Sequence, residues 1–251
     1  METLNDYLPQ SVEGKSVLIT GGTSGIGLAV AKLLAKLGAR VMIFGHEQER
    51  LDNALAAIKE TATGDVYGYA ADASTEEGIA TIFKQADEKL KTLDVLINNV
   101  AVGFNDVTDG SYKDWQYVVD TNLLSYLACC AGAIERMVPK GSGHIINMGS
   151  MSAVSREGSG SVYVATKAAI QAYSESLRKS VNKDGIKVTL IEPGAVDTNM
   201  QEESSEDKQK KIDNLEMLEA NDIAMSVLYC LSQPKRCDVL EIKIKPLLQI
   251  I

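Results

Sequence analysis

The chain has 251 residues, of which 45% are hydrophobic and 24% are charged, an ordinary composition for a globular protein. Its 34 acidic and 25 basic side chains give a formal net charge of −9, which argues against nucleic acid or an anionic membrane as a partner. No apolar run approaches the roughly 18 residues that cross a bilayer, the N-terminus lacks a basic signal region, and the four irregularly spaced cysteines fit a reducing cytoplasm.

Short β-type runs alternate with helical patterns along the chain. Strands are predicted at 15–20, 39–44, 66–71, 94–98, 144–148, 186–192 and 239–245, and helices at 26–37, 48–59, 76–90, around 115–137 and at 163–182. This order predicts an α/β fold with a doubly wound, Rossmann-like parallel sheet of about seven strands and helices on both faces. The last strand alternates apolar and charged residues, as a strand near a sheet edge does. Residues 1–251 are expected to form a single domain, with residues 1–14 as an N-terminal extension.

The first strand and the first helix are joined by the sequence TGGTSGIG, residues 20–27. A dinucleotide pyrophosphate needs a tight turn, close approach of the backbone, and a helix N-terminus that faces the anion. Gly21, Gly25 and Gly27 can supply these features. The spacing is G-x-x-x-G-x-G and no Lys-Ser/Thr follows, so the segment is not a Walker A loop. The turn therefore predicts dinucleotide binding, and the alternative is a glycine-rich connection without a ligand.

Tyr163 and Lys167 are four residues apart and share one face of a predicted helix. A nearby ammonium favours the phenolate and lowers the pKa of the phenol, which suits a tyrosine that exchanges a proton with a carbonyl or alcohol oxygen. Ser150, thirteen residues before the tyrosine, is placed to hydrogen bond that oxygen and polarise it. The alternative roles are a packing tyrosine, a surface lysine and a helix-capping serine.

Five segments, in this order, resemble the short-chain dehydrogenase/reductase family: TGGTSGIG at 20–27, NNVA at 98–101, NMGS at 147–150, YVATK at 163–167 and PGAVDT at 193–198. The resemblance extends from Lys15 to about Gln249. It implies an NAD(P)-dependent oxidoreductase that interconverts an alcohol and a ketone or aldehyde, with a small-molecule substrate. It also implies a homotetramer or homodimer, for which the small apolar face along Val162, Ala165, Ala169 and Tyr173 is suited.

The resemblance also implies the site residues. The catalytic residues are Asn122, Ser150, Tyr163 and Lys167, and Tyr163 is the general acid/base. Asn122 holds a water linked to Lys167, and this role requires an interrupted helix around Asn122. The residues that the resemblance assigns to cofactor binding are Gly21, Thr23, Ser24, Gly25, Ile26, Gly27, Gly45, His46, Asp72, Asn99, Tyr163, Lys167, Pro193, Gly194, Val196 and Thr198. No metal ligand is expected. Asp72 has an alternative role as a simple turn-former. Val100 and Ala101 stand where the family has Ala-Gly, so the local backbone is expected to differ there.

The cofactor preference is predicted from the end of the second strand. Gly45 stands where NAD-specific members of this fold carry an acid that binds the ribose, and His46 follows where many NADP-using relatives have Arg. We therefore expect NADP(H) over NAD(H), with Arg50 adding positive charge one helical turn later. Glu47 favours the opposite choice if a shifted turn brings it to the ribose.

A catalytically idle, dinucleotide-sensing or scaffold protein on the same fold is the alternative function. A sensor has no need of the four catalytic residues, so the enzyme is the favoured interpretation. Sugar-nucleotide epimerases differ in glycine spacing and need a longer substrate domain, and enoyl reductases separate the tyrosine and lysine more widely.

The segment at about 200–215 is almost wholly polar and is expected, from the resemblance, to cover the substrate. Loops such as 152–160 are expected to complete the pocket. The tail at 245–249 resembles the Pro-x-x-Gln ending of the NADP-dependent 3-hydroxy acid dehydrogenase branch. His144, Cys129 and Cys130 are expected to be structural.

Overall fold

Seven parallel strands form one sheet in a computed structural model that describes residues 9–156, 158, 160–201 and 203–250. Their order across the sheet is β3-β2-β1-β4-β5-β6-β7, and each neighbouring pair is parallel. The strands are β1 Ser16–Thr20, β2 Arg40–Gly45, β3 Val66–Ala70, β4 Val95–Asn98, β5 Gly143–Met148, β6 Ile186–Pro193 and β7 Glu241–Ile244. The predicted doubly wound α/β fold is confirmed, and the alternating strand β7 lies at the sheet edge as expected.

Helices cover both faces of the sheet, and each face has its own core. Residues of α1, α2 and α9 pack on one face, and residues of α3, α5 and α7 pack on the other. The helices are α1 Gly25–Lys36, α2 Gln48–Lys59, α3 Glu76–Lys89, α4 Tyr112–Val119, α5 Ser125–Met137, α6 Ser152–Ser155, α7 Ser161–Val181, α8 Ser205–Asp213 and α9 Ala220–Leu231. Helix α9 is missing from the elements predicted from the sequence.

The strand order reverses direction at β1 and β4, which are neighbours in the sheet although β2 and β3 come between them in sequence. Ligands of open α/β sheets bind at such a switch point, outside the carboxyl ends of the strands. Because all seven strands are parallel, the turn after β1, the end of β4, Ser150 and the segment after β6 lie along the same edge. The topology therefore gathers the segments that the sequence singled out.

A π-helical turn, Asp120–Leu124, separates α4 from α5. The wider hydrogen-bonding pattern of such a turn inserts an extra residue and reorients the side chains around it. Asn122 lies in this turn and is fully buried. The structure thus has the helix interruption that the assigned role of Asn122 requires.

The predicted N-terminal extension is described only from residue 9, and residues 1–8 lie outside the described residues. Within it, Val12 is buried in the core and the Gln10 N–H donates to Ser232 O at 2.8 Å.

One helical stretch, Tyr112–Lys140, is long and apolar enough by length and composition to cross a membrane, although it contains charged side chains and no continuous apolar run of 18 residues. In its most apolar window, 44% of the residues are buried within the fold. Core helices of globular proteins meet the same criterion, and α5 packs on the sheet through residues such as Cys129, Ala133 and Met137.

A buried carboxyl lies at the end of β6. The Glu192 side chain has no exposed surface, and its Oε2 is 3.6 Å from Lys243 Nζ on the neighbouring strand β7. Burial, reinforced by the Glu241 carboxylate beside it, raises the pKa of Glu192 from the ordinary 4.5 to about 7. Glu192 is therefore neutral over part of the range in which exposed glutamates are ionised.

This carboxyl makes stability depend on pH. Because the folded-state pKa is raised, the stability that protonated Glu192 contributes is complete below about pH 4.5 and is lost as the pH rises through about 7. We expect Glu192→Gln to abolish this loss and to be more stable than the wild type at pH 8 by about 1–2 kcal/mol, allowing for the partial offset by Lys243. Denaturant unfolding at pH 5 and pH 8 measures this, with Glu88→Gln, at an exposed position of α3, as the control. Equal pH dependence in the wild type and Glu192→Gln would contradict the assignment.

Candidate active site

The turn between β1 and α1 has the backbone that its glycines predict. Gly21 and Gly25 have φ angles of +64° and +50°, in the left-handed region that favours glycine. A Cβ at Gly27 would collide with Gly21 O and with Asn99 Nδ2, so the start of the helix packs tightly on the turn. Thr23 and Ile26 belong to the same segment, and Ile26 packs on the core.

The N-terminus of α1 is suited to an anion. Among the described residues, no side chain caps this end: N-cap Ser24 makes no capping hydrogen bond, and the first turn contains no acid. Unsatisfied N–H groups and the helix dipole make such an end a binding site for phosphate. The turn therefore fits the pyrophosphate of a dinucleotide, and Gly21 to Gly27 are the residues that would hold it.

Asn99 fixes this turn from the neighbouring strand. Its Nδ2 donates to Thr20 O at 3.2 Å and to Gly21 O at 2.9 Å, and its backbone N–H donates to Thr20 Oγ1 at 3.1 Å. The Val100 backbone packs on Gly21, and the Val100 side chain packs on the core. The bulk that Val100 adds relative to the family's alanine thus enters the core.

The end of β2 carries a small charged cluster. The Thr23 methyl group packs so closely on Gly45 that a Cβ there would be 2.5 Å from it. Beyond Gly45, the exposed Glu47 carboxylate is 3.2 Å from His46 Nε2 and 2.8 Å from Arg50 Nε. Both side chains that can carry positive charge here are therefore oriented by one acid.

Asp72, after β3, serves as a turn residue. Its Oδ1 accepts hydrogen bonds from the Ser74 N–H at 2.9 Å and from Ser74 Oγ at 2.7 Å. These contacts fit the alternative role that the sequence allowed. Its exposed position beside the end of β2 leaves a role in cofactor binding as a proposal.

The segment after β6 approaches the glycine turn. The Thr198 methyl group would lie 3.0 Å from a Cβ at Gly25, so the two segments are in contact. Val196 is buried and forms a bridge with Leu218. Pro193 ends β6, and Gly194 gives its N–H to Ile244 O at 2.7 Å.

Ser150 is held in place by β6. The residues on either side of it donate backbone hydrogen bonds to that strand, Gly149 to Ile191 O at 2.7 Å and Met151 to Pro193 O at 2.9 Å. Ser150 Oγ accepts from the Ser152 N–H at 3.1 Å, and the serine is buried. Its hydroxyl is fixed at the carboxyl edge of the sheet.

Tyr163 and Lys167 lie on α7, which begins after left-handed Gly160. Lys167 is almost completely buried; its Nζ donates to Met148 O at 2.9 Å and is 5.8 Å from the centroid of the Tyr163 ring. Burial lowers the pKa of Lys167 to about 7. Met148 O thus directs the ammonium beneath the tyrosine, as the i, i+4 spacing predicts.

The pKa of Tyr163 moves in the direction opposite to the expectation. Burial of the phenolate raises it, and the Ser150 hydroxyl beside the phenol only partly opposes this increase. Burial of the phenolate outweighs the lowering expected from Lys167, whose ammonium is 5.8 Å from the centroid of the ring and donates its hydrogen bond to Met148 O. The arrangement favours a protonated phenol, which is the form that donates a proton.

Asn122 is committed to the loop after β4. Its Oδ1 accepts from the Val102 N–H and its Nδ2 donates to Val102 O, both at 2.8 Å, and Nδ2 is 3.4 Å from Thr166 Oγ1. It therefore joins the loop after β4 to α7 at Thr166, the residue before Lys167.

Asn98, Asn147 and Ser174, to which the sequence analysis gave no role, form hydrogen bonds that support the site, and Cys130 and His144 are structural as expected. Asn98 Nδ2 donates to Asn147 Oδ1 at 2.9 Å, and Asn147 Nδ2 donates to Ser174 Oγ at 2.9 Å, which joins β4, β5 and α7. Cys130 also contacts Asn98, and burial raises its thiol pKa to about 12, as befits a structural residue. His144, at the opposite end of β5, is buried with Nε2 2.8 Å from Thr189 Oγ1.

The segment predicted to cover the substrate includes α8 and the Asn199–Met200 turn before it. The Met200 methyl group approaches Gly103, where a Cβ would be 3.8 Å from it. The loop after β4 and the covering segment thus meet across the mouth of the site. Residues 157, 159 and 202 of the predicted pocket loops lie outside the described residues.

Comparison with known proteins agrees with this geometry. The profile of the short chain dehydrogenase family matches residues 15–209. An uncharacterized oxidoreductase of Staphylococcus aureus is 34% identical over 233 residues, which are 92% of this chain and 97% of the relative. A second uncharacterized oxidoreductase, from Staphylococcus epidermidis, is 34% identical over 236 residues, 94% of this chain and 98% of its own.

Solved structures give the same result. L-sorbose reductase from Gluconobacter frateurii, complexed with NADPH and L-sorbose, superposes with a TM-score of 0.86 and 26% identity, covering 95% of this chain and 98% of that chain. A dehydrogenase/reductase from Sinorhizobium meliloti has a TM-score of 0.83 and 27% identity, covering 94% of this chain and 95% of its own.

The doubly wound fold, with its glycine turn and a serine, tyrosine and lysine at one sheet edge, defines a dehydrogenase of the Rossmann type. The chain belongs to the short-chain dehydrogenase family, as an oxidoreductase of that type.

Proposed function

We propose that this protein is an NADP(H)-preferring oxidoreductase that interconverts a small-molecule alcohol and a ketone or aldehyde, with Tyr163 as the general acid/base. The observation that carries the proposal is the convergence of Ser150 and Lys167 on Tyr163, at the sheet edge shared with the glycine turn. The similarity to a reductase whose structure contains NADPH and a ketose supports it.

Each residue has a defined task in this proposal. The nicotinamide supplies or accepts the hydride when the cofactor is bound. Tyr163 donates its phenolic proton to the oxygen of a carbonyl under reduction, or removes the proton from an alcohol under oxidation. Ser150 donates a hydrogen bond to that oxygen and polarises it. Lys167, buried under the ring, stabilises the phenolate that forms when Tyr163 gives up its proton.

Replacing the phenol tests the proton transfer. Tyr163→Phe keeps the ring and its packing, so we expect the fold and the cofactor affinity to survive while turnover falls about 10²–10⁴-fold. A panel of ketones, aldehydes and alcohols, including L-sorbose, is screened by nicotinamide absorbance, and one active substrate is then used to compare kcat.

Exposed Tyr229→Phe on α9 is the matched control and should keep full turnover. Turnover of Tyr163→Phe within threefold of the wild type would refute the role of Tyr163. A wild type that binds the dinucleotide, measured by its fluorescence, but turns over no member of the panel would favour the idle sensor or scaffold instead.

The cofactor preference rests on the cluster after β2. Gly45 offers no acid to a ribose hydroxyl, and His46 and Arg50 are exposed beside it. A 2′-phosphate can accept hydrogen bonds from both side chains. Glu47 opposes phosphate binding through its own charge but is already paired with these two side chains.

We expect kcat/KM to be higher with NADPH than with NADH. His46→Ala and Arg50→Ala should each lower the NADPH value about fivefold or more and leave the NADH value nearly unchanged, whereas Lys59→Ala at the far end of α2 should alter neither. A wild-type preference for NADH that survives His46→Ala but reverses in Glu47→Gln would show that Glu47 acts as the ribose-binding acid.

Assembly into a homodimer or homotetramer is also proposed. Ala165 is exposed on α7, and Val162, Ala169 and Tyr173 are half-buried, so this face offers small apolar side chains to a second copy. Light scattering at micromolar concentration should give a mass of two or four times 27.0 kDa. A mass of 27.0 kDa alone would contradict the proposal.

A further inference from the structure

Helix α8 is attached to the protein through a buried lysine. Within α8, all of whose residues the structure describes, Lys208 is the only buried residue, and the remaining residues are exposed or half-buried. A lysine is seldom buried unless its ammonium is paired, because desolvation of the charge is costly. The contacts of Lys208 therefore hold a helix that has no buried apolar residue of its own.

Those contacts are made with the segment after β6, residues 193–198, which the resemblance to the family assigns to cofactor binding at the nicotinamide and which we call the nicotinamide loop. Lys208 Nζ donates to Thr198 O at 2.7 Å and lies 3.2 Å from Asp197 Oδ1. The Thr198 carbonyl also accepts from the Gln201 N–H at 3.1 Å, so it is the point where the loop turns into the covering segment. The methyl group of the same threonine contacts Gly25 in the glycine turn.

The other side of the loop is anchored to rigid parts of the fold. Asp197 N–H donates to Leu218 O, and Leu218 N–H donates to Ala195 O, both at 2.9 Å. The tail reaches the same loop, because Gln249 Oε1 accepts from the Ala195 N–H at 3.0 Å. The loop is thus fixed from β6, from Leu218 in the segment before α9 and from the tail, and Lys208 links this loop to helix α8 of the predicted covering segment.

We propose that Lys208 is a positioning residue that locks α8 to residues 197–198, so that the substrate cover and the nicotinamide loop form one unit. One consequence rests on the proposed function: binding of the cofactor at Thr198 should order the substrate-covering segment that contains α8. Lys208 touches neither the substrate nor the reacting atoms in this proposal. Its effect passes through Thr198.

Lys208→Met tests the lock, because methionine keeps a long, unbranched stem and good helix propensity but lacks the donors. Hydrogen exchange of the wild type and the variant should differ in peptides covering both 205–213 and 195–198, with exchange in the variant faster by at least about tenfold. Exchange in β1, β4 and β5 should stay unchanged, whereas a general loss of stability would alter it.

Two further variants separate the contribution of the ion pair to hydrogen exchange from that of the hydrogen bond and provide a control. Asp197→Asn removes the ion pair but leaves the bond to Thr198 O, so we expect a smaller change in the same two segments. Lys210→Met, on the exposed face of α8, should change neither segment. Unchanged exchange in Lys208→Met, or faster exchange in α8 alone, would overturn the lock.

The link to the cofactor is measured separately. In the wild type, NADPH should slow exchange in 205–213, and in Lys208→Met this protection should be lost while 195–198 is still protected. Equal protection of α8 in both proteins would overturn the coupling. A wild type that binds neither NADPH nor NADH would instead refute the proposed function, and the exchange comparison without cofactor would still decide whether the lock exists.

Discussion

The carboxamide of Asn99 is the contact on which the rest of the site depends. It donates to two consecutive carbonyls, Thr20 and Gly21, at the point where the chain leaves β1. A buried carbonyl without a partner is costly, so this side chain lets the backbone leave the sheet early and turn sharply. The first turn of α1 can then pack on Gly21, and the helix N-terminus faces the switch point of the sheet. Thr198 takes its position by contact with the same turn.

The side chains proposed to be catalytic are placed by the main chain of β5 and β6. Met148 O receives the Lys167 ammonium, and the residues on either side of Ser150 bond to β6. The pKa of Lys167 is lowered to about 7 by its burial, and the pKa of Tyr163 is raised by its own. The lowered pKa of Lys167 reduces the positive charge of the pair at neutral pH, and the raised pKa of Tyr163 keeps its phenol protonated. A developing negative charge on the phenol would restore the favourable interaction with the ammonium, so the pair is suited to ionise together.

The sequence predicted well those features that depend on local spacing. Tyr163 and Lys167 are four residues apart on a helix, and the φ angles of Gly21 and Gly25 follow from the residue type and the place of the turn. Helix α9 was missed because its N-cap is Glu219, a less favoured capping residue, which donates its N–H to the Asp222 carboxylate three residues later. The predicted direction of the Tyr163 pKa shift was wrong, because the shift is set mainly by burial, and burial arises only in the assembled site.

Lys208 shows most clearly what a pattern cannot predict. Residues 201–214 are almost wholly polar, and their composition distinguishes neither a solvated helix from a docked one nor Lys208 from Lys210 and Lys211. The difference arises because only the side chain at 208 points at Thr198 O and Asp197, both contributed by a loop ten or more residues earlier. A polar anchor of this kind holds a cover in one orientation yet leaves little apolar surface to separate when the cover opens. Such an attachment favours reversible opening over permanent packing, as the proposed role of the segment in admitting substrate and releasing product requires.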